Sequence, residues 1–212
     1  MSEYPKYPSI ERFENIYSVI SEKVDGTNGL MEIHEVFPKP DSDVTHVVTF
    51  GSRNKWIDVH SDNAGFANFF TPHIDKIVRV PEILKANAVN ELDNRNKACN
   101  MPIRIYGEWF GQSIQRTYGL KQKLFMPFHT LLAKALIEAG VPNIIEPFIF
   151  YTGKFDKSIS DGFMDTLKTH GSCVVPGYFQ AEGIVVYFPT YNFCLKDTFE
   201  GAKWKQQASS TV

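Results

Sequence analysis

Cysteine is scarce in this chain, and the three it has, Cys99, Cys173 and Cys194, are odd in number, far apart and include no CxxC pair. A disulfide framework and a cysteine zinc site are excluded on that ground, and the thiols read as small buried or half-buried side chains. The six histidines form no HExxH or HxH set, so no histidine metal centre is expected. Long apolar runs are also missing: none approaches the roughly 18 residues of a membrane span. The opening MSEYPKYPSI lacks the basic-then-apolar pattern of an export signal. A soluble, unexported protein is expected, cytoplasmic or in the host cytoplasm for a viral source. Charge of one sign is lacking too: 22 Lys and Arg stand against 24 Asp and Glu, a net −2 with a pI near 6.3. Coating of nucleic acid by bulk electrostatics is therefore excluded, while a local basic groove remains open.

What is present suits a folded domain. Of 212 residues 43% are hydrophobic, enough for a sizeable core. Short strand-like runs alternate with turns: YSVISEK (17–23), GLMEIHE (29–35), THVVTFGS (45–52), IRIYGEWF (103–110), EPFIFY (146–151), EGIVVYF (182–188) and NFCLK (192–196). Most lie too close together for helical crossovers, so antiparallel pairing is expected. Helices are predicted over 62–79, 127–139 and 160–169. The class is α+β: antiparallel sheets with flanking helices. One domain over 1–206 is expected, followed by a polar tail, 207–212, with 37–43 as a hairpin loop and the Asn-rich 87–102 as a surface excursion.

The stretch SEKVDGTNG (21–29) holds a KxDGxN string of Lys23, Asp25, Gly26 and Asn28. Two compatible readings fit it. Asp-Gly and Asn-Gly favour hairpin turns, which would join YSVISEK directly to GLMEIHE; alternatively Lys23 is a nucleophile beside a nucleotide. In IRIYGEW, strand alternation puts Ile103, Ile105 and Trp109 on one face and Arg104, Tyr106 and Glu108 on the other, placing Glu108 on a polar surface. The same period puts Lys203 and Lys205 on one face of GAKWKQ, either to converge on phosphate or as a solvated pair.

EKVDGTN, RIYGEWFG (104–111), AEGIVVYF (181–188) and GAKWKQ (201–206), in this order, resemble the nucleotidyltransferase motifs of ATP-dependent polynucleotide ligases and mRNA capping enzymes. EKVDGTN followed by YGEWFGQSIQ is most similar to the RNA ligases of the nick-sealing type, and the resemblance spans about residues 20–206. It implies an ATP-grasp-like ligase adenylation fold, with ATP and Mg2+ or Mn2+ as cofactors. It further implies that Lys23 is adenylated, that Asp25 and Gly26 complete its signature, and that Asn28 lies near the reacting phosphate. Glu22 matches the position whose backbone meets adenine, Arg53 the arginine on ribose and phosphate, and Glu108 the acceptor of ribose hydroxyls. Phe125 in KLFMPFH is matched to the ring that stacks on adenine, with Phe128 in reserve; either is equally at home in a core. Glu182 matches the acid tied to the divalent metal, and Lys203 and Lys205 the phosphate-binding pair, whose charge would also favour a neutral amine on Lys23.

Three departures stand beside the match. Many relatives carry a lysine where this chain has Tyr187; Lys196 competes with Lys203 for the lysine 14 or 21 residues after Glu182; and the chain runs only seven residues past Lys205, so no C-terminal OB-fold is expected. The implied function is an ATP-dependent RNA ligase joining an RNA 5′-phosphate to a 3′-hydroxyl, with a separate nucleic-acid-binding subunit as a possible partner. A DNA ligase, a GTP-dependent capping guanylyltransferase and an inactive nucleic-acid-binding module are the alternatives. Arg116, Lys121 and Lys123, with Tyr118 nearby, read either as a phosphate track for RNA or as a solvated loop.

Overall fold

The computed structural model describes residues 15–35, 46–87 and 102–199. Lys203, Lys205, Cys99, the 37–43 loop, nearly all of the 87–102 segment and the 207–212 tail lie outside the described residues. Two compact units emerge, Met1–Lys23 with Phe148–Val212, and Val24–Pro147.

The Val24–Pro147 unit carries an antiparallel sheet of five strands: β2 (Thr27–Glu35), β3 (His46–Gly51), β4 (Trp56–Ile57), β5 (Ile103–Gly111) and β6 (Lys123–Pro127), in the order β4-β3-β2-β5-β6. Alternation puts Met31, Ile33, Ile105, Trp109 and Phe125 on one face, where α1 (Phe66–Phe70), α2 (Ile74–Ile77), α3 (Val80–Ala86) and α4 (Thr130–Glu138) supply Phe66, Phe70, Ile77, Val80 and Leu136. Phe66 meets Phe50, Phe70, Trp109 and Phe125 edge-on at 5.0–6.0 Å between centroids, the arrangement ring quadrupoles favour.

The other unit pairs β1 (Tyr17–Lys23) with β7 (Ile149–Lys154) and β8 (Gly183–Phe188), and β8 with β9 (Phe193–Thr198), in the antiparallel order β7-β1-β8-β9. Ile20, Ile184, Val186 and Phe188 pack with Leu167 of α5 (Lys157–His170). Asp156 caps α5 by accepting from the Ser158 amide at 2.8 Å, and Gly171 follows its end.

The structure departs from the expected elements in several places. YSVISEK and GLMEIHE do not form a hairpin: β1 pairs with β7 and β8, β2 with β3 and β5, and Val24–Gly26 carries the chain from one sheet to the other. The helix expected over 62–79 begins at Phe66, because Asp62 accepts from the amides of Asn63, Ala67 and Asn68 and so closes the turn ahead of it. Pro72 lies in a 3-10 turn that separates α1 from α2. KLFMP, read only as an aromatic segment, is strand β6, and α3 was not expected. Among the described residues no helix is long and apolar enough to cross a membrane.

Candidate active site

Lys23 ends β1 directly opposite Gly183, the first residue of β8. Its ammonium nitrogen lies 2.7 Å from Glu182 Oε2, with the two side chains 21% and 13% exposed. Gly183 has φ +151°, and a Cβ there would collide with the Asp197 carbonyl oxygen, so the strand that delivers Glu182 can begin this way only with glycine. Ser21, Val185 and Lys196 share the sheet face of Lys23 by register, as does Tyr187, whose hydroxyl donates to Asn192 at 3.2 Å within its own turn.

Glu22 points to the opposite face. Its carboxylate is 1% exposed and accepts from the Ser172 hydroxyl at 2.5 Å and the amides of Cys173 and Val174 at 2.7 and 2.9 Å, while its own amide donates to the Phe148 carbonyl. The side chain is thus an anchor inside this unit. Burial raises the Glu22 carboxyl above its ordinary value, and the three hydrogen bonds oppose that only in part. A carboxyl that holds its proton more tightly folded than unfolded contributes most stability at low pH. That contribution is lost as pH rises from the ordinary carboxyl value through the raised folded value. Glu22→Gln preserves the packing and removes the ionisation. Its thermal midpoint is expected to vary less steeply with pH than that of the natural protein over the acid-to-neutral range; parallel profiles would contradict this.

In the Val24–Pro147 unit, Asn28 and Glu108 are direct cross-strand partners. Asn28 Nδ2 donates to Glu108 Oε2 at 3.2 Å, and Arg53 Nε donates to Asn28 Oδ1 at 2.9 Å, so three residues expected at a nucleotide are joined in one hydrogen-bonded row. Glu108 does not stand on an open polar surface: it is 8% exposed, on a face that also buries Phe110 against Tyr118 at 5.4 Å. Gly26 sits where an added Cβ would collide with the Trp109 carbonyl oxygen and approach Phe110 Cβ to 2.7 Å.

The turn after β5 holds the Asp-Gly segment. Arg116 Nε pairs with Asp25 Oδ2 at 3.0 Å, the Tyr118 hydroxyl accepts from the Asp25 amide at 2.7 Å, and Gln115 donates to the Gly26 carbonyl at 2.6 Å. Arg116 and Tyr118 therefore support the Asp-Gly segment from within this unit, and Lys123 donates to the Ala64 carbonyl at 2.7 Å; Lys121 is exposed. The supporting role of Gln115, Arg116 and Tyr118 left no signal in the sequence, because it depends on Gln115, Thr117 and Tyr118 all adopting positive φ without being glycine.

Phe125 is likewise corrected. It is fully buried among Phe66, Phe70 and Trp109 and has no face to offer a ligand, because its strand parity matches Trp109. Phe128, 54% exposed, falls on the same side of the sheet as Glu108. Among the described residues no three His, Cys, Asp or Glu side chains are grouped as a metal cage. Magnesium characteristically binds through one or two carboxylates together with substrate phosphates, so a lone Glu182 fits a metal that arrives with phosphate.

The RNA ligase family model matches residues 16–199. A search of curated proteins gives no match. Among solved structures, a mutant RNA ligase of Naegleria gruberi with ATP and manganese matches with a TM-score of 0.53 at 15% identity, covering 91% of this chain and 52% of that one. A second mutant of the same ligase, with AMP and manganese, gives 0.52 at 15% identity and the same coverage, and an apo mutant gives 0.53. The likeness is one of fold, and this chain spans about half the length of those ligases.

Proposed function

The chain belongs to the RNA ligase family, and from that premise we propose that it is an ATP-dependent enzyme joining an RNA 5′-phosphate to a 3′-hydroxyl. The observation that carries the reading is the 2.7 Å pair of Lys23 and Glu182, a nucleophile and a carboxylate fixed together by the β1–β8 register.

Lys23 Nζ attacks the α-phosphorus of ATP in line. A P–N bond forms, the bond to the bridging oxygen breaks, and pyrophosphate departs with the electron pair, leaving lysyl-AMP. Attack needs the nitrogen lone pair, so the ammonium must lose a proton and the pair with Glu182 must open. A divalent cation, Mg2+ or Mn2+, held by Glu182 together with phosphate oxygens, would supply positive charge that offsets the charge growing on the phosphate. The Glu108 side chain accepts hydrogen bonds from ribose hydroxyls; Arg53 and Asn28 contact sugar and phosphate; Phe128 replaces Phe125 as the ring for adenine. Asp25 and Gly26 complete the signature, held within their own unit by Arg116, Tyr118 and Gln115. Lys203 and Lys205 neutralise phosphate. The AMP then passes to the RNA 5′-phosphate, and the 3′-hydroxyl displaces it to form the phosphodiester.

Incubation with α-labelled ATP and magnesium should label the protein, α-labelled GTP should not, and the labelled protein should seal a nicked RNA duplex faster than a nicked DNA duplex. Labelling by GTP would indicate a capping guanylyltransferase, preference for DNA a DNA ligase, and no labelling at any pH a binding module.

A further inference from the structure

We propose that Tyr106 and Arg104, on the same face of the five-stranded sheet as Asn28 and Glu108, bind the RNA strand beside the nucleotide, Tyr106 stacking on a base and Arg104 pairing with a phosphate. The inference rests on the ligase reading and names a contact for its substrate.

The β2–β5 ladder sets the arrangement. Asn28 faces Glu108, Leu30 faces Tyr106 and Glu32 faces Arg104, all on one side of the sheet. Successive pairs are two residues apart, about 7 Å along the strand. A polar pair, a leucine–tyrosine pair and a charged pair thus follow one another in a line. Tyr106 is 52% exposed, and its neighbour across β5–β6 is the exposed Phe128, whose amide donates to the Tyr106 carbonyl at 2.9 Å. Rings presented on a sheet next to a cation are how single-stranded nucleic acids are commonly held, because every base has a π-face.

Arg104 is not an ordinary surface arginine. Its Nε donates to Glu32, a carboxylate only 2% exposed, which also pairs with His34 Nε2. That bond fixes the guanidinium plane and raises the arginine pKa, while the side chain stays 48% exposed. Because Glu32 engages Nε, the two terminal amino groups, which have no hydrogen-bond partner among the described residues, remain for the bidentate grip that phosphate favours. Beside Glu32 on β3, the Thr49 hydroxyl is buried with no hydrogen-bond partner among the described residues, an unsatisfied polar group at this end of the row.

The test separates this contact from the ligase reading, since lysyl-AMP forms without RNA. Tyr106→Ala and Arg104→Gln, the latter able to keep a hydrogen bond to Glu32, should label with ATP at the natural rate, which also reports that they fold. Tyr106→Ala should raise the KM for a nicked RNA duplex roughly 5- to 100-fold, and Tyr106→Phe should restore it. Arg104→Gln should lower the slope of RNA affinity against salt by about one. Natural KM and natural salt slope in both variants would overturn the inference. Were the natural protein itself not to label, the ligase reading would fail, and fluorescence anisotropy with the same RNA would decide the contact alone: weaker binding by Tyr106→Ala upholds it, equal binding overturns it.

Discussion

Lys23→Ala is expected to abolish covalent labelling by α-labelled ATP, while Lys196→Ala, which removes another lysine on that sheet face, retains it. The loss is total rather than partial because a P–N adduct needs a nitrogen nucleophile at that place. Lys23 is fixed at the end of β1 by pairing with β8 on one side, and Glu22 behind it is anchored by three hydrogen bonds. Alanine is tolerated at a strand end, and the lysine is partly exposed, so the variant should melt close to the natural protein. Acid-stable or acid-labile label remaining on Lys23→Ala would move the nucleophile elsewhere; a phosphoramidate is distinguished by its lability in acid and persistence in alkali.

Glu182→Gln is expected to slow lysyl-AMP formation by about 10²- to 10³-fold, the scale seen when a group that stabilises charge in the transition state is removed. Glutamine keeps the shape and one hydrogen bond to Lys23 but loses the negative charge. Two consequences follow from the 2.7 Å contact. The ammonium loses the charge of the carboxylate paired with it, and a divalent cation loses the carboxylate that the structure places beside the nucleophile. A single-turnover labelling course against manganese concentration separates them: lost metal affinity appears as a higher half-saturating concentration, lost positioning as a lower plateau. A natural rate and natural metal dependence in Glu182→Gln would remove Glu182 from the chemistry.

Strand β1 shows both the reach and the limit of local pattern. Its bounds follow from alternation, and YSVISEK coincides with Tyr17–Lys23. Its partners do not follow, because Asp-Gly-Thr-Asn is a good hairpin signal and nothing nearby contradicts it. The decision lies with β7 and β8, more than a hundred residues further on, whose inward Val186 and Phe188 complete a core with Ile20. Phe125 fails for a related reason. In KLFMPFH apolar residues fall on both faces, so only pairing with Trp109 reveals which parity holds Phe125 in the core. Arg116 and Tyr118 look like a basic-aromatic track until the turn that carries them folds back on Asp25 and Gly26.

The amino-acid order alone determined the α+β class and the antiparallel habit, and it singled out Lys23, Asn28, Glu108 and Glu182 as candidates, because residue type and short spacing are properties of the chain itself. Tertiary structure alone decided that Lys23 meets Glu182 across 159 positions and that Arg53, Asn28 and Glu108 join in one row. It also decided that Phe125 is core and that Glu22 is an anchor. Those outcomes depend on register, and register is set by burying distant apolar faces together, which no local stretch of sequence encodes.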